Sequence, residues 1–415
     1  MVIGADRPVC QCSRRTLCNR AWGDWWCTIT SSNDRISGEC KAKNLGCLGK
    51  SIHTEAAHFF STGMTGLGDN MEKYGYRFSF GPWNIHEGAD PFGPTVRPPL
   101  PFQSKVEILT GLGFDAMQFH DDDVVPGFDN LSAAQISKQA REVHTMLTDH
   151  GLVAEFVAPR LWESPMTVDG AYTANDPKCR QYAIERSKKA VDIANELNCH
   201  LMVLWLAREG TYLRESKDAV RATHQLLDAV NTLLAYDKDL RIAIETKPNE
   251  PMDLAYVPTI GHALALGAQS NDPSRVGCLV ESAHAILAGL DPSDEMAFGL
   301  AFGKLWSVHL NDQNGLKFDQ DRSFGSVDLR RAFNEVRVLD SNRFYEKGMV
   351  GLDVKAIRTQ PAELATKHLR NSLHAFLRLV EIVRSINEAK VKELISARDY
   401  EELDWLVFTS LLGKH

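Results

Sequence analysis

From Tyr76 onward the chain alternates between short apolar runs of strand length and longer segments whose apolar residues follow a helical period. The runs predict strands near 78–83, 116–121, 153–158, 200–206, 241–245, 276–281, 305–310 and 350–354, and the periodic segments predict helices over 132–150, 177–197, 215–235 and 293–304. This alternation is the signature of a parallel βα array, and that number of strand candidates favours a closed (β/α)8 TIM barrel over an open doubly wound sheet. No Gly-x-Gly-x-x-Gly follows the first strand, which further disfavours a dinucleotide fold. A long helical pattern over 362–396 and the apolar piece Leu403 to Phe408 form a C-terminal helical tail. Such a tail is either covered by another subunit, giving a homo-oligomer (dimer or tetramer), or folded back on its own barrel.

The expected organisation is a catalytic barrel over 71–358 and a tail over 359–415, preceded by residues 1–70, which have no clean periodicity and no signal-peptide pattern. That first stretch reads as a disordered or mis-assigned extension, with Met71 as the native start. Six cysteines fall before residue 50 and only Cys179, Cys199 and Cys278 in the remainder. Sparse cysteines in the body suggest a reduced, cytoplasmic enzyme, and Cys10-x-Cys12 lacks the second close pair that a zinc module would carry. A formal charge of −8 gives no basic stripe for nucleic acid, and no apolar run approaches a membrane span. The expected partner is therefore small.

Several strands end in chemistry. Carboxylates and imidazoles recur at the ends of the last four: Glu245, Glu281, His284, His309, Asp319, Asp321 and Asp353. A parallel barrel brings the C-terminal ends of its strands to one mouth, where converging carboxylates repel unless cations neutralise them. An oxygen-rich set with a few imidazoles suits two divalent cations of the Mg²⁺, Mn²⁺ or Co²⁺ class. Each acid taken singly reads as a solvated loop residue or ion-pair partner; their coincidence at strand ends carries the metal reading.

Strand two ends in Phe119-His120-Asp121-Asp122-Asp123, where Asp123 is placed to fix the His120 tautomer as an oriented base pair; an acidic loop with one satisfied histidine fits that stretch equally well. Lys247 lies two residues beyond Glu245 and so points to the same mouth, either to polarise a carbonyl oxygen or to pair with Glu245 or Glu250. Trp83, Trp162 and Trp205 sit at or just past the ends of strands one, three and four, where indoles can wall a pocket against sugar C–H faces.

With these residues in place, the chain from about Tyr76 to Gln360 resembles the xylose isomerases. The matching segments are Trp83 with Asp90-Pro91-Phe92-Gly93, Phe119 to Asp123, Arg208-Glu209-Gly210, Ile244 to Pro251, Gly261 to Ala265, Asn311 with Gln313-Asn314-Gly315, and Lys317 to Asp321. The resemblance implies a two-metal (β/α)8 aldose–ketose isomerase converting D-xylose to D-xylulose and D-glucose to D-fructose. It places Glu245, Glu281, Asp353 and His309 at the first metal, and Glu281, His284, Asp319 and Asp321 at the second. His120 with Asp123 would assist ring opening, and Lys247 would hold the C1 oxygen during a 1,2-hydride shift. Trp83 and Trp205 would wall the hydride path, Trp162 would stand where a pocket phenylalanine is usual, and Phe92 would reach a neighbouring subunit.

The departures bear on the substrate. His309 stands where the family usually has aspartate, a feature similar to the rhamnose isomerases, so an isomerase of another aldose such as L-rhamnose is the near alternative. Ala158 to Trp162 carries Arg160 where small polar residues are usual, and Leu206-Ala207 replaces a glycine pair. Two remoter readings are an endonuclease IV-type phosphodiesterase, disfavoured by the carboxylate-rich ligands and negative charge, and a non-catalytic sugar-binding barrel.

Overall fold

A computed structural model describes residues 72–316 and 318–413 of the chain. The readings of residues 1–70, of Met71 as a start and of Lys317 lie outside the described residues.

The barrel strands are β1 (Phe78–Phe80), β2 (Ala116–His120), β3 (Val153–Ala158), β4 (Leu201–Trp205), β5 (Arg241–Glu245), β6 (Val276–Glu281), β7 (Leu305–Leu310) and β8 (Met349–Leu352). Each pairs in parallel with its neighbours in sequence, and β1 pairs with β8 to close the barrel. The principal helices following successive strands are α1 (Phe102–Gly111), α2 (Ala133–Asp149), α3 (Pro177–Glu196), α4 (Ala219–Tyr236), α5 (Ile260–Ala268), α6 (Pro292–Ala301), α7 (Leu329–Ser341) and α8 (Lys367–Ser385). The (β/α)8 expectation is met, strand for strand.

Local chemistry sets the helix starts. Ser132 and Gln135 form a capping box ahead of α2, Asp176 caps α3 with Pro177 in its first turn, and Asp328 caps α7. Each side-chain oxygen takes a backbone N–H that the first helical turn leaves without a partner.

Two departures from the sequence pattern have local causes. β1 ends at Phe80, because Gly81-Pro82 turns the chain into the short 3₁₀ segment Pro82–Asn84 that carries Trp83. The long helix expected over 362–396 is broken into α8 and α9 (Glu388–Ala397), since Ile386 is extended and Asn387 caps the second helix through the N–H groups of Ala389 and Lys390. A last helix, α10 (Tyr400–Leu411), contains the apolar piece, with Trp405 and Phe408 stacked at 5.4 Å and largely exposed.

Apolar side chains fill both sides of the sheet. Outside, strand residues such as Val308, Leu310 and Ile244 pack in one cluster with the helices. Inside, Phe156, Ala158, Val203, Ala243 and Leu279 form a second layer, with Trp83 and Trp306 packed against it. The polar mouth rests on this layer. No helix among the described residues is long and apolar enough to cross a membrane.

Candidate metal centre and active site

Alternation along the strands decides what reaches the mouth. Glu245 and Glu281 end β5 and β6, and His309 is the last inward residue of β7, in register with Glu281 on one side and Gly351 of β8 on the other. Asp353 follows β8, His284 lies one turn past Glu281 in the short helix Ser282–Leu287, and Asp319 and Asp321 come from the loop after β7. His309 Nδ1 is 3.4 Å from Glu245 Oε1, 3.6 Å from Glu281 Oε2 and 3.8 Å from Asp353 Oδ2. His284 Nε2 is 3.3 Å from Glu281 Oε1 and 3.0 Å from Asp319 Oδ2, and its Nδ1 is 3.6 Å from Glu245 Oε1.

Three donor groups can therefore be drawn, each with its ligand atoms within 4.8 Å of one another: Glu245, Glu281 and His284; Glu281, His309 and Asp353; and Glu281, Asp319 and Asp321. Glu281 belongs to all of them. The residues fit divalent cations on two counts. His284 Nδ1, His309 Nδ1 and Asp319 Oδ1 are buried without a hydrogen-bond partner among the described residues, and such atoms ordinarily have one. The donors are carboxylate oxygens and imidazole nitrogens, the set that hard and borderline divalent cations take.

Electrostatics agree. Burial raises Glu281 to about 7, and burial together with the charge of Asp319 raises Asp321 well above the usual carboxylate range. Burial pushes the His309 imidazole down, but Glu245, Glu281 and Asp353 outweigh it and hold it well above its ordinary value. Burial likewise opposes ionisation of Asp319, which Lys247 and His284 overcome to bring it well below its ordinary value. The upward shifts of Glu281, Asp321 and His309 favour protons at positions that cations would otherwise take.

Asp321 adopts a left-handed backbone conformation with φ +45°, a cost for a non-glycine residue of about 1–3 kcal/mol that surrounding bonds must offset. Its carboxylate is held by Lys355 and by Asn311 Nδ2 at 3.1 Å, and its carbonyl accepts from the Lys355 N–H at 2.7 Å.

Lys247 is buried and its Nζ donates to Asp319 Oδ2 at 2.7 Å, with Glu250 Oε2 farther at 3.9 Å. Its ammonium also lies 5.1 Å from the centroid of the Trp205 ring, which places it between Asp319 and the aromatic wall. The closest partner is thus Asp319, brought in because the loop after β7 folds back over the mouth, while the expected Glu250 lies at ion-pair distance.

His120 and Asp123 meet, Nδ1 to Oδ2, at 3.0 Å. Arg160 joins them, with Nη2 at 2.8 Å from His120 Nδ1 and 3.3 Å from Asp123 Oδ1, and Nε at 2.8 Å from Asp122 Oδ1. Its charge is committed to this acidic turn. Trp83 packs on His120 with ring centroids 4.3 Å apart, Trp162 on the same imidazole at 5.0 Å, and Trp162 meets Trp205 edge to face at 4.4 Å. The three indoles and the histidine therefore form one continuous wall. Phe92 stands apart, 83% exposed, with Phe318 as its ring neighbour at 6.0 Å.

Sequence reasoning gave no role to several residues that organise the site. Asn311 Nδ2 donates to Glu281 Oε1 at 2.9 Å, Asp321 Oδ1 at 3.1 Å and the Asp353 carbonyl at 3.0 Å, so one amide joins ligands from three segments. Its position at the end of an apolar strand, next to His309-Leu310, was the available signal. Gln118, Glu155 and Lys355 carried none, since the partners that give each its role come from other strands and loops.

Residues 106–372 match the family model described as xylose isomerase-like TIM barrel. A xylose isomerase from Thermus thermophilus is 35% identical over 329 residues, covering 78% of this chain and 84% of that one. Among solved structures, a xylose isomerase domain protein from Alicyclobacillus acidocaldarius subsp. acidocaldarius superposes with a TM-score of 0.52 at 14% identity, covering 74% of this chain and 99% of that one. A 3-keto-D-glucoside 4-epimerase from E. coli gives a TM-score of 0.53 at 14% identity, covering 73% and 99%. At that identity the structures speak to the barrel alone, whereas the family model and the Thermus relative speak to descent: the chain belongs to the xylose isomerase-like TIM-barrel family.

Proposed function

We propose that this chain is an aldose–ketose isomerase, D-xylose to D-xylulose in the first instance and D-glucose to D-fructose by the same chemistry. The observation that carries the reading is Glu281, shared by all three donor groups, with the Lys247 ammonium 2.7 Å from Asp319 beside it. Isomerisation at C1 and C2 asks for two neighbouring sugar oxygens to be held and polarised together, and a double site with a lysine next to it does that.

Glu245, Glu281, His309 and Asp353 would hold one cation, and Glu281, His284, Asp319 and Asp321 the other. Two divalent cations would supply positive charge at the sugar oxygens and balance the carboxylates. His120, its Nδ1–H donating to Asp123 Oδ2, presents Nε2 to exchange the proton of a ring hydroxyl during opening. Lys247 donates to the C1 oxygen. The hydrogen on C2 then passes with its electron pair to C1, while the O2 proton is lost and O1 gains one. Trp83, Trp162 and Trp205 keep water from this path, so the migrating hydrogen does not exchange with solvent.

His309 and Arg160 support a second reading within the class, an isomerase of another aldose such as L-rhamnose. The experiment is a panel of D-xylose, D-glucose and L-rhamnose with purified protein and Mg²⁺, Mn²⁺ or Co²⁺, repeated in D₂O. Ketose lacking solvent deuterium at C1 is expected, and kcat/KM ranks the sugars. No turnover of any aldose overturns the proposal, and full deuterium incorporation overturns the hydride route.

A further inference from the structure

Beneath the mouth the barrel interior holds a chain of buried polar groups that ends on His309. His309 Nε2 lies 3.1 Å from Gln118 Oε1 on β2. The other end of that amide, Gln118 Nε2, donates to Glu155 Oε2 on β3 at 3.0 Å and to Ser79 Oγ on β1 at 3.1 Å. Glu155 also accepts from the Ser79 hydroxyl, and its second oxygen accepts from Ser307 Oγ on β7 at 2.7 Å. All five side chains are buried.

The direction of each bond follows from the chemistry of its ends. A carboxylate only accepts, so the Gln118 amide must turn its NH₂ to Glu155 and its oxygen to His309. That oxygen also only accepts, so His309 must carry its hydrogen on Nε2. In the neutral imidazole Nδ1 is then the nitrogen with the lone pair, and it is the one that faces Glu245, Glu281 and Asp353.

The backbone leaves room for this pairing at one point. A Cβ on Gly351, the residue in register with His309 on β8, would stand 2.3 Å from Gln118 Nε2 and 3.2 Å from His309 Cδ2. Any side chain there would displace the amide from the imidazole.

We infer that Gln118, itself fixed by Glu155, is a positioning residue that selects the His309 tautomer and so makes Nδ1 a ligand of the first cation. This rests on the ligand assignment proposed above and deepens it. An aspartate in place of His309 would have no tautomer to select, so the relay is the accompaniment of an imidazole at this strand end. Outer partners of this kind orient first ligands and tune their donor strength.

The test is a double-mutant cycle read by metal affinity. Mn²⁺ binding is measured by calorimetry for the full chain, Gln118→Leu, His309→Asp and the double variant. Gln118→Leu is expected to weaken one of the two sites, the one that His309→Ala also weakens, by about 10–100-fold, and to change it less than threefold in the His309→Asp background. A second readout is ¹⁵N NMR of histidine-labelled, Mg²⁺-loaded protein, where the His309 resonances report the Nε2–H tautomer in the parent and lose it in Gln118→Leu. Equal losses in both backgrounds, or none in either, overturn the inference. If His309→Ala leaves Mn²⁺ affinity unchanged, the ligand assignment itself fails, and that outcome is separate from a His309 that binds metal without needing Gln118.

Discussion

Trp83 Nε1 donates to Asp353 Oδ1 at 2.9 Å, so the indole that walls the pocket on one side is also tied to a carboxylate of the candidate metal centre. The pairing has two separable consequences, one for the ligand and one for water exclusion. Trp83→Phe keeps an apolar wall but removes the donor, freeing Asp353 to rotate. We expect Mn²⁺ affinity to fall by about 10-fold, in the range typical of lost outer partners, with little change in solvent exchange. Calorimetry and turnover in D₂O check the two halves, and undiminished affinity would show the bond to be idle.

In the proposed reaction Lys247 acts on the sugar oxygen and does not hold the cations. Lys247→Met preserves the buried stem while removing the charge, and kcat is expected to drop by about 10²–10³, the magnitude for losing one preorganised donor. Both ions should still bind, as counted by metal analysis of the dialysed variant. Loss of an ion would instead make Lys247 a structural partner of Asp319.

Cation binding and proton release are linked through Glu281, Asp321 and His309, each held above its ordinary pKa in the folded, cation-free protein. A raised pKa means the folded state retains protons that the unfolded chain has lost, so this contribution to stability falls as pH rises through the folded value. The Glu281 contribution should therefore lower the melting temperature of cation-free protein at pH 8 relative to pH 6, read as the difference from Glu281→Gln, which cancels the opposing trend of His86 and His368. Apparent Mn²⁺ affinity should move the opposite way, rising between those values because the ion displaces the same protons. Scanning calorimetry, and titrations in two buffers of different ionisation enthalpy, measure both. An affinity independent of pH would contradict the linkage.

A fourth prediction concerns the turn that carries His120. Asp121 is fully buried and bound by Arg186 through Nε at 2.8 Å and Nη2 at 2.7 Å. Arg186→Met leaves that carboxylate without its cation, and removing one partner of a buried pair costs about 3–5 kcal/mol. Urea unfolding of the variant against the parent gives the number. Arg186→Met with Asp121→Leu should recover much of the loss, since then no charge is left buried.

The sequence by itself determined the barrel and most of what stands at its mouth. Apolar runs of strand length alternating with helical periods are local signals, and a polar residue at the end of such a run is visible without coordinates. Glu245, Glu281, His309 and Asp353 were legible for that reason, as was the pairing of His120 with Asp123, which lies within one short turn.

Only the tertiary structure decided partners drawn from different strands. Lys247 meets Asp319 because a distant loop folds over the mouth. Arg160 spends its charge on the His120 turn because β2 and β3 are neighbours. Gln118, Glu155, Ser79 and Ser307 become one relay because closing the sheet turns their side chains toward a common axis. Sequence spacing encodes which face of a strand a residue takes, but closure of the barrel decides what it faces across the interior, and the orientation of His309 depends on that second fact.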